Sequence, residues 1–298
     1  MWSKIKNLFP AFIKNPINKI RNKRRWASQY KAIINFYNKK PSLSNEEVEV
    51  INHLTKINGL VVFPYDFKNE LNYNNIKIFF DDEVQLHYVI HQSHRLYFRR
   101  GMSAADVLGV YSGLLNEQNE KSPHLYLTEK FNIEQGSILA DIGASEGIFT
   151  LSNIEKISKA YLFEPNDEWN EALACTFRPW SDKIIIVNKF VSSKNDEVTI
   201  TLDQYFQNVK PDFIKADVEG EELEVLKGAH KILEAAQNLK ISICTYHNQS
   251  DFDDISKLLV EKHSYFINHS YGYMLFFLTN NLMPPFLRRG ILRATKSV

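Results

Sequence analysis

Four stations along this chain carry residue types whose spacing can do chemistry. In the first, residues 138–147, an apolar run ends in Asp141; Gly143 and Gly147 follow, with Ala144 between them. An apolar run, an acid and two spaced glycines describe a buried strand that turns sharply into a helix. The glycines permit the tight turn and let the backbone approach a ligand. The pattern is Asp-x-Gly-x-x-x-Gly, not the Gly-x-Gly-x-x-Gly that brings backbone against a pyrophosphate. An acid leading the loop suits a cationic ligand. S-adenosylmethionine, with its sulfonium and ammonium, is such a ligand.

The second station is Phe163-Glu164-Pro165. A carboxylate there, about twenty residues after the glycines, can accept from both hydroxyls of a ribose. The third is 215–222, Lys-Ala-Asp-Val-Glu-Gly-Glu-Glu, with Leu226-Lys227-Gly228-Ala229 behind it. The fourth is His247, which closes an apolar run. The expected cofactor set is Asp141, Gly143, Ala144, Gly147, Glu164, Pro165, Val191, Ser192 and Asp217. His247 is the first candidate for a general base, because an unperturbed imidazole titrates near neutral pH. Asp217 is the second, with Glu219 beside it. Asp217 with Glu219 or Glu222 offers the oxygens a hard divalent ion takes, although no metal is expected. Each station also has a plain structural reading. Glu221 and Glu222 open a helix, where acids suit the positive end of the dipole, and Glu164 can cap the helix after Pro165. Four stations at one sheet edge favour function.

Strand and helix alternate around these stations. Strands are expected over 137–142, 160–164, 184–191, 212–217 and 239–246, with helices over 148–156, 167–177 and 221–237. A short strand and helix fall at 198–202 and 203–206. A helix near 252–261 leads to two last strands, 265–269 and 274–279, read as an antiparallel edge pair. Such alternation implies an α/β fold with a mostly parallel sheet covered on both faces. Each station then lies at the carboxyl end of a strand, where open sheets bind ligands.

Ahead of this domain, 126–282, two segments are expected. Residues 41–125 read as a small α+β cap: a helix over 46–58 capped by Ser44 or Asn45, strands at 60–63, 76–80, 87–90 and 95–98, and a helix from Ser103 with a capping box to Asp106. His87, His91 and His94 invite a metal reading, but strand alternation points 94 away from 87 and 91, and ordinary histidines are expected. Residues 1–40 form a basic amphipathic segment, with Trp2, Ile5, Leu8, Phe9, Phe12, Ile13, Ile17 and Ile20 spaced as a helical face broken at Pro10 and Pro16. Residues 283–298 read as a basic tail.

A formal net charge of +1 hides an asymmetry. Residues 1–45 hold eleven basic residues and no acid, residues 262–298 hold five and no acid, and the middle holds all 35 acids. Basic ends can touch anionic lipid or nucleic acid, or dock on the body. Packing on the protein itself is favoured over peripheral contact with an anionic membrane. Nucleic acid is not expected as a partner, because the body is acidic and shows no basic stripe with interleaved aromatics. No apolar run is long enough to span a bilayer. Two cysteines, Cys175 and Cys244, make neither a disulfide framework nor a zinc site, so a cytoplasmic setting is expected.

The four stations together resemble the FkbM family of S-adenosylmethionine-dependent methyltransferases. The resemblance covers about residues 124–279, and its most specific part is 214–229, a Lys-x-Asp-x-Glu-Gly-x-Glu segment followed by a Leu-x-Gly-Ala helix; Thr201-Leu202-Asp203 also fits. It implies a class I methyltransferase, Rossmann-like fold and O-methylation, often of sugar hydroxyls in glycans or natural products. One position departs: the family usually has Glu two residues before the strand-five histidine, and this chain has Thr245. The rival readings are a nicotinamide-dependent oxidoreductase, against which the acid-led loop argues, an RNA methyltransferase or nucleic-acid binder using the basic ends, and a non-catalytic scaffold that keeps the fold.

Overall fold

The computed structural model describes residues 16–70, 73–277 and 282–296. The apolar face expected over residues 2–13 lies outside the described residues. The chain divides into two compact units, Met1–Asp66 with Gly272–Arg288, and Phe67–Tyr271 with Arg289–Val298.

The first unit is built on two helices. Helix α1 spans Pro16–Asn38. Proline suits its first position, where the missing N–H has no intrahelical partner to lose. Ile33 and Tyr37, one turn apart, are fully buried. Tyr37 donates its hydroxyl to the Pro285 carbonyl, and Trp26 meets Phe277 edge to face at 5.7 Å. The inner face of this basic helix therefore packs within its own unit. Helix α2, Asn45–Ile57, is capped by Ser44, one of the two expected caps, in a capping box: Ser44 Oγ accepts from Glu47 N and the Glu47 carboxylate from Ser44 N. Residues 60–63 are not a strand.

The second unit begins with a three-stranded antiparallel sheet, β1 (Phe79–Asp81), β2 (Leu86–His91) and β3 (His94–Tyr97). Gln92 and Ser93, both left-handed, make the β2–β3 turn. Helix α3, Ala104–Glu117, follows its Ser103–Asp106 capping box. The large sheet comes next, with β4 (Ser137–Ile142), α4 (Ile148–Ser152), β5 (Ile157–Phe163), α5 (Asp167–Thr176) and β6 (Ile184–Val187). A two-stranded piece, β7 (Phe190–Val191) and β8 (Thr199–Ile200), and α6 (Leu202–Tyr205) lead to β9 (Phe213–Ala216). Then come α7 (Glu222–Lys227), α8 (His230–Ala235), β10 (Lys240–Cys244), α9 (Asp251–Lys257), β11 (Phe266–His269) and β12 (Ile291–Thr295).

The sheet order is β11-β12-β10-β9-β4-β5-β6. Pairing is parallel from β10 to β6, and β12 runs antiparallel to both β10 and β11. This is the Rossmann-like class I methyltransferase arrangement. The chain winds outward in opposite directions from β4, so a crevice opens at the carboxyl ends of β4 and β9. The core beneath it packs Ile142, Phe163, Ile214, Leu226 and Ile243, all at most 1% exposed.

Three expectations need correction. The last strand is not 274–279, of which 278 and 279 lie outside the described residues; Met274 makes only an isolated bridge to Arg288. The strand is Ile291–Thr295, inside the expected basic tail. Its charge misled the reading: Arg293 is buried and donates to the carbonyls of Leu125 and Tyr126, so the cation serves a strand interior. The helix expected over 221–237 breaks at Gly228, where a Cβ would lie 2.1 Å from the Ser192 carbonyl oxygen. Asp203 then accepts from Lys231 N and Ile232 N and starts α8 afresh. Finally, the segment 41–125 is not one subdomain, since α2 belongs to the first unit and β1–β3 with α3 to the second. The small sheet is tied to α5 by Arg99–Glu168, Arg100–Glu171 and a bond from Tyr97 N to Thr176 Oγ1. Among the described residues no helix is long and apolar enough to cross a membrane.

Candidate active site

The site grows from the ends of four parallel strands. At the end of β4, Asp141 is fully buried. Its Oδ2 accepts from Thr150 Oγ1 at 2.7 Å, and its Oδ1 pairs with Lys215 Nζ at 3.2 Å. Lys215, on β9, is itself buried and also donates to the Gly143 carbonyl at 2.7 Å. Burial opposes its charge, but Asp141 and Asp217 raise the ammonium above its ordinary range. Asp141 therefore has partners within the protein for both carboxylate oxygens.

Gly143 is left-handed, and a Cβ there would lie 1.9 Å from the Asp217 carbonyl oxygen. Only glycine lets the loop rest on the end of β9. Ala144 is buried, with its N–H donating to the Phe163 carbonyl. Gly147 opens α4 and faces Leu173 and Phe177. Glu164, past the end of β5, is 5% exposed. Its Oε2 accepts from Ser145 N at 3.0 Å and its Oε1 from Asn166 N at 2.9 Å. Burial raises its pKa, partly countered by those two N–H groups. Each oxygen keeps a lone pair for a further donor. Pro165 leads into Asn166, the N-cap of α5.

Val191 and Ser192 do not join this group. Val191 is buried in the apolar core. Ser192 donates its N–H to Ile200 and backs onto Gly228, at the opposite end of α7 from Glu222.

The third and fourth stations do meet. Asp217 follows β9 and His247 follows β10. His247 Nε2 lies 3.7 Å from Asp217 Oδ1 and 3.7 Å from Glu219 Oε2. Its Nδ1 lies 2.8 Å from Glu222 Oε1. Glu222 has no exposed surface. Its carboxylate also accepts from Val218 N and Gly220 N, and so shapes a turn in which Glu219 and Gly220 are both left-handed. Burial disfavours the His247 charge, but Glu222 first, then Asp217 and Glu219, raise its pKa to about 9. The ring is thus charged at neutral pH rather than poised there. Asp217 is held down at about 2: burial opposes the charge, and His247, Lys215 and His124 outweigh it.

The Glu222 oxygens are taken by two N–H groups and the imidazole, so Glu222 has little left for a metal. Among the described residues, two groups bring ligand atoms within 4.8 Å of one another: Asp217, Glu222 and His247, and His124, Asp217 and Cys244. Glu219, about half exposed, is in neither.

The residues missed in the sequence surround Asp217. Tyr126 donates its hydroxyl to Asp217 Oδ2 at 2.8 Å. His124 Nε2 lies 3.2 Å from the Tyr246 hydroxyl and 3.7 Å from Asp217 Oδ2. Burial lowers the His124 pKa to about 4. Tyr246 meets the His247 ring at a tilt of 41°, with centroids 4.1 Å apart. The signal available was His124-x-Tyr126, whose rings meet edge to face at 5.0 Å where the chain leaves a turn. Glu117 and Glu146 are raised to about 8 and 7, chiefly by burial. The three early histidines are structural: His87 meets Phe80, His94 meets Trp180, and His91 lies between Tyr111 and Ser152.

Comparison with known proteins agrees with the motifs. The family model of the methyltransferase FkbM domain matches residues 188–280. No curated protein sequence matches. Among solved structures, the chain is similar to methyltransferase FkbM from Methylobacillus flagellatus KT, with 19% identity and TM-score 0.45 over 63% of this chain and 52% of that one. The match thus spans about half the length of that structure. It is also similar to precorrin-6y C5,15-methyltransferase from Geobacter metallireducens GS-15, with 13% identity and TM-score 0.39 over 56% of this chain and 85% of that one. An rRNA methylase from Streptococcus thermophilus aligns with 14% identity and TM-score 0.37 over 56% and 90% of the two chains. The match to the methyltransferase FkbM domain model falls across β9, the Asp217–Glu222 turn and His247.

Proposed function

We propose that this protein is an S-adenosylmethionine-dependent O-methyltransferase acting on a sugar hydroxyl of a glycan or related metabolite. The observation that carries the reading is the His247 environment. A buried carboxylate, Glu222, holds Nδ1 at 2.8 Å, and Nε2 faces the crevice beside Asp217. A base oriented by a buried acid is the arrangement that takes a proton from a hydroxyl nucleophile.

The residues present fit the cofactor. Glu164, buried with its pKa raised and a lone pair left on each oxygen, suits two ribose hydroxyls. The 143–147 loop, fixed from below by Lys215, supplies backbone at the same edge. When bound, S-adenosylmethionine supplies an already activated methyl group. The protein therefore has two tasks, alignment and proton removal. Asp217 Oδ1, 3.7 Å from His247 Nε2, borders the place of the acceptor oxygen and stabilises the imidazolium that forms there. His247 Nε2 takes the acceptor hydroxyl's proton in its neutral form, which becomes populated as pH rises toward 9, so turnover climbs with pH through that range. Tyr126 donates to the other Asp217 oxygen and so fixes the carboxylate's orientation. A cytoplasmic setting is part of this reading, on the strength of two unpaired cysteines.

The test is methyl transfer from labelled S-adenosylmethionine to a panel of sugar acceptors, with the product's linkage identified. An ether at a sugar oxygen is expected. Label delivered to nitrogen, or to RNA in a parallel reaction, would overturn the acceptor class.

A further inference from the structure

The geometry points to a binding site for a divalent cation of the zinc class, held by His124 Nε2, Asp217 Oδ2 and Cys244 Sγ. The three residues come from three separate places in the fold: the segment before β4, the end of β9 and the end of β10. His124 Nε2 lies 3.6 Å from Cys244 Sγ and 3.7 Å from Asp217 Oδ2, and the whole set of ligand atoms falls within 4.8 Å. Zinc bonds of ~2.0 Å to nitrogen or oxygen and ~2.3 Å to sulfur, at tetrahedral angles, separate ligand atoms by about 3.3–3.6 Å. The first two separations are close to that spacing without rearrangement.

A plain hydrogen-bond network is the competing account. Tyr126 does donate to Asp217 Oδ2, and the Tyr246 hydroxyl lies 3.2 Å from His124 Nε2. The contacts among the three proposed ligands are longer, and a thiol is a weak donor and acceptor. The Tyr126 hydroxyl, on Asp217 Oδ2 and 3.7 Å from Cys244 Sγ, suits a supporting role, whereas the Tyr246 hydroxyl occupies the one lone pair of Nε2 and gives it up to the ion. Charge also suits the site. A carboxylate and a thiolate neutralise a divalent ion, so the buried centre carries no net charge. On binding, the Cys244 S–H bond breaks, a sulfur–metal bond forms and the proton leaves to solvent. Imidazole with thiolate selects the zinc class over magnesium or calcium. His124 and Cys244 are at most 1% exposed and Asp217's side chain is 22% exposed, so the approach is from the Asp217 side. Three protein ligands leave a fourth position for water or substrate. An acceptor hydroxyl there would be acidified; that role rests on the proposed methyl transfer, while binding does not.

The test uses the full chain and cobalt(II) as a spectroscopic probe. Wild-type protein is expected to take one equivalent and to show thiolate-to-cobalt absorption in the near ultraviolet, reversed by zinc. Cys244→Ser should abolish that absorption, Cys175→Ser should leave it intact, and His124→Gln should weaken cobalt binding at least tenfold. Circular dichroism confirms that each variant is folded, and an unfolded Cys244→Ser is replaced by Cys244→Ala. No thiolate absorption in the wild type, or absorption that survives loss of Cys244, overturns the site. S-adenosylhomocysteine binding, measured on the same samples, separates this outcome from failure of the methyltransferase reading.

Discussion

Lys215 reaches from β9 to Asp141 on β4, closing a buried ion pair of 3.2 Å beneath the glycine loop. The pair explains how a fully buried carboxylate can sit at the head of a ligand loop. Its charge is spent on the protein's own ammonium, and that ammonium also holds the Gly143 carbonyl. Lys215→Met would leave Asp141 charged and uncompensated. Breaking a buried pair from one side costs ~3–5 kcal/mol. Melting should fall by on the order of 10 °C, and Asp141→Asn in the same chain should recover part of the loss. An unchanged melting curve for Lys215→Met would remove the pair's role.

Glu164 separates cofactor binding from loop support. Glu164→Ala removes an acceptor for charge-assisted hydrogen bonds and should weaken S-adenosylhomocysteine by ~1.5–3 kcal/mol. Titration calorimetry reads this directly. Asp141→Asn should also weaken binding, through a loosened loop, and should lower melting more than Glu164→Ala does. Equal affinity in wild type and Glu164→Ala would end the ribose assignment.

How much of this was legible in the sequence depends on range. Residues 137–142 form a strand with the expected bounds, because an apolar run stopped by Asp and Gly is a local signal. The Ser44 and Ser103 caps are local too. What was not legible is long-range: Tyr126 is 91 residues from Asp217, and His124 is 122 from Tyr246. β12 was hidden because Arg293 looked like tail charge until two main-chain carbonyls were found to receive it. Val191 and Ser192 sit at the right point in the alternation. In the fold Val191 packs in the core and the Ser192 carbonyl lies against Gly228, contacts that only tertiary structure supplies. The imidazole at 247 was identified, but not its pKa, because only the fold brings Glu222 to 2.8 Å from Nδ1.

His91 should make the fold acid-sensitive well above the range of carboxylates. Burial lowers its pKa to about 4, with a smaller push from His94. The unfolded ring titrates near 6.5. Because the folded value is depressed, the stability is complete above about pH 6.5. It is lost as pH falls toward 4, with no further loss below. Between pH 7 and 5 the loss attributable to this ring is about 2 kcal/mol. Denaturant melts of wild type and His91→Gln at both pH values test it. The variant should lose less stability across that interval by this amount. Parallel losses in the two proteins would show that His91 does not contribute.

The pairing of Glu222 with His247 yields the prediction closest to the chemistry. Glu222 Oε1 faces the imidazole and Val218 N, and Oε2 faces Gly220 N. Glutamine in its place keeps one oxygen but turns an amide toward a donor. A buried donor then loses its acceptor, at ~1–3 kcal/mol. The turn carrying Asp217 and Glu219 should loosen, and the ring should lose the partner that aims Nε2 at the crevice. His247→Ala removes the base outright. Transfer to a sugar acceptor should fall by about 10²–10⁴-fold in His247→Ala, and by a smaller factor in Glu222→Gln. Affinity for S-adenosylhomocysteine should stay near wild type in both, because neither residue belongs to the Glu164 side of the crevice. Melting curves separate stability from turnover: Glu222→Gln should melt lower than His247→Ala, since its carboxylate holds the turn as well as the ring. A His247→Ala protein that transfers methyl at the wild-type rate would leave alignment by Asp217, without a base, as the source of the rate.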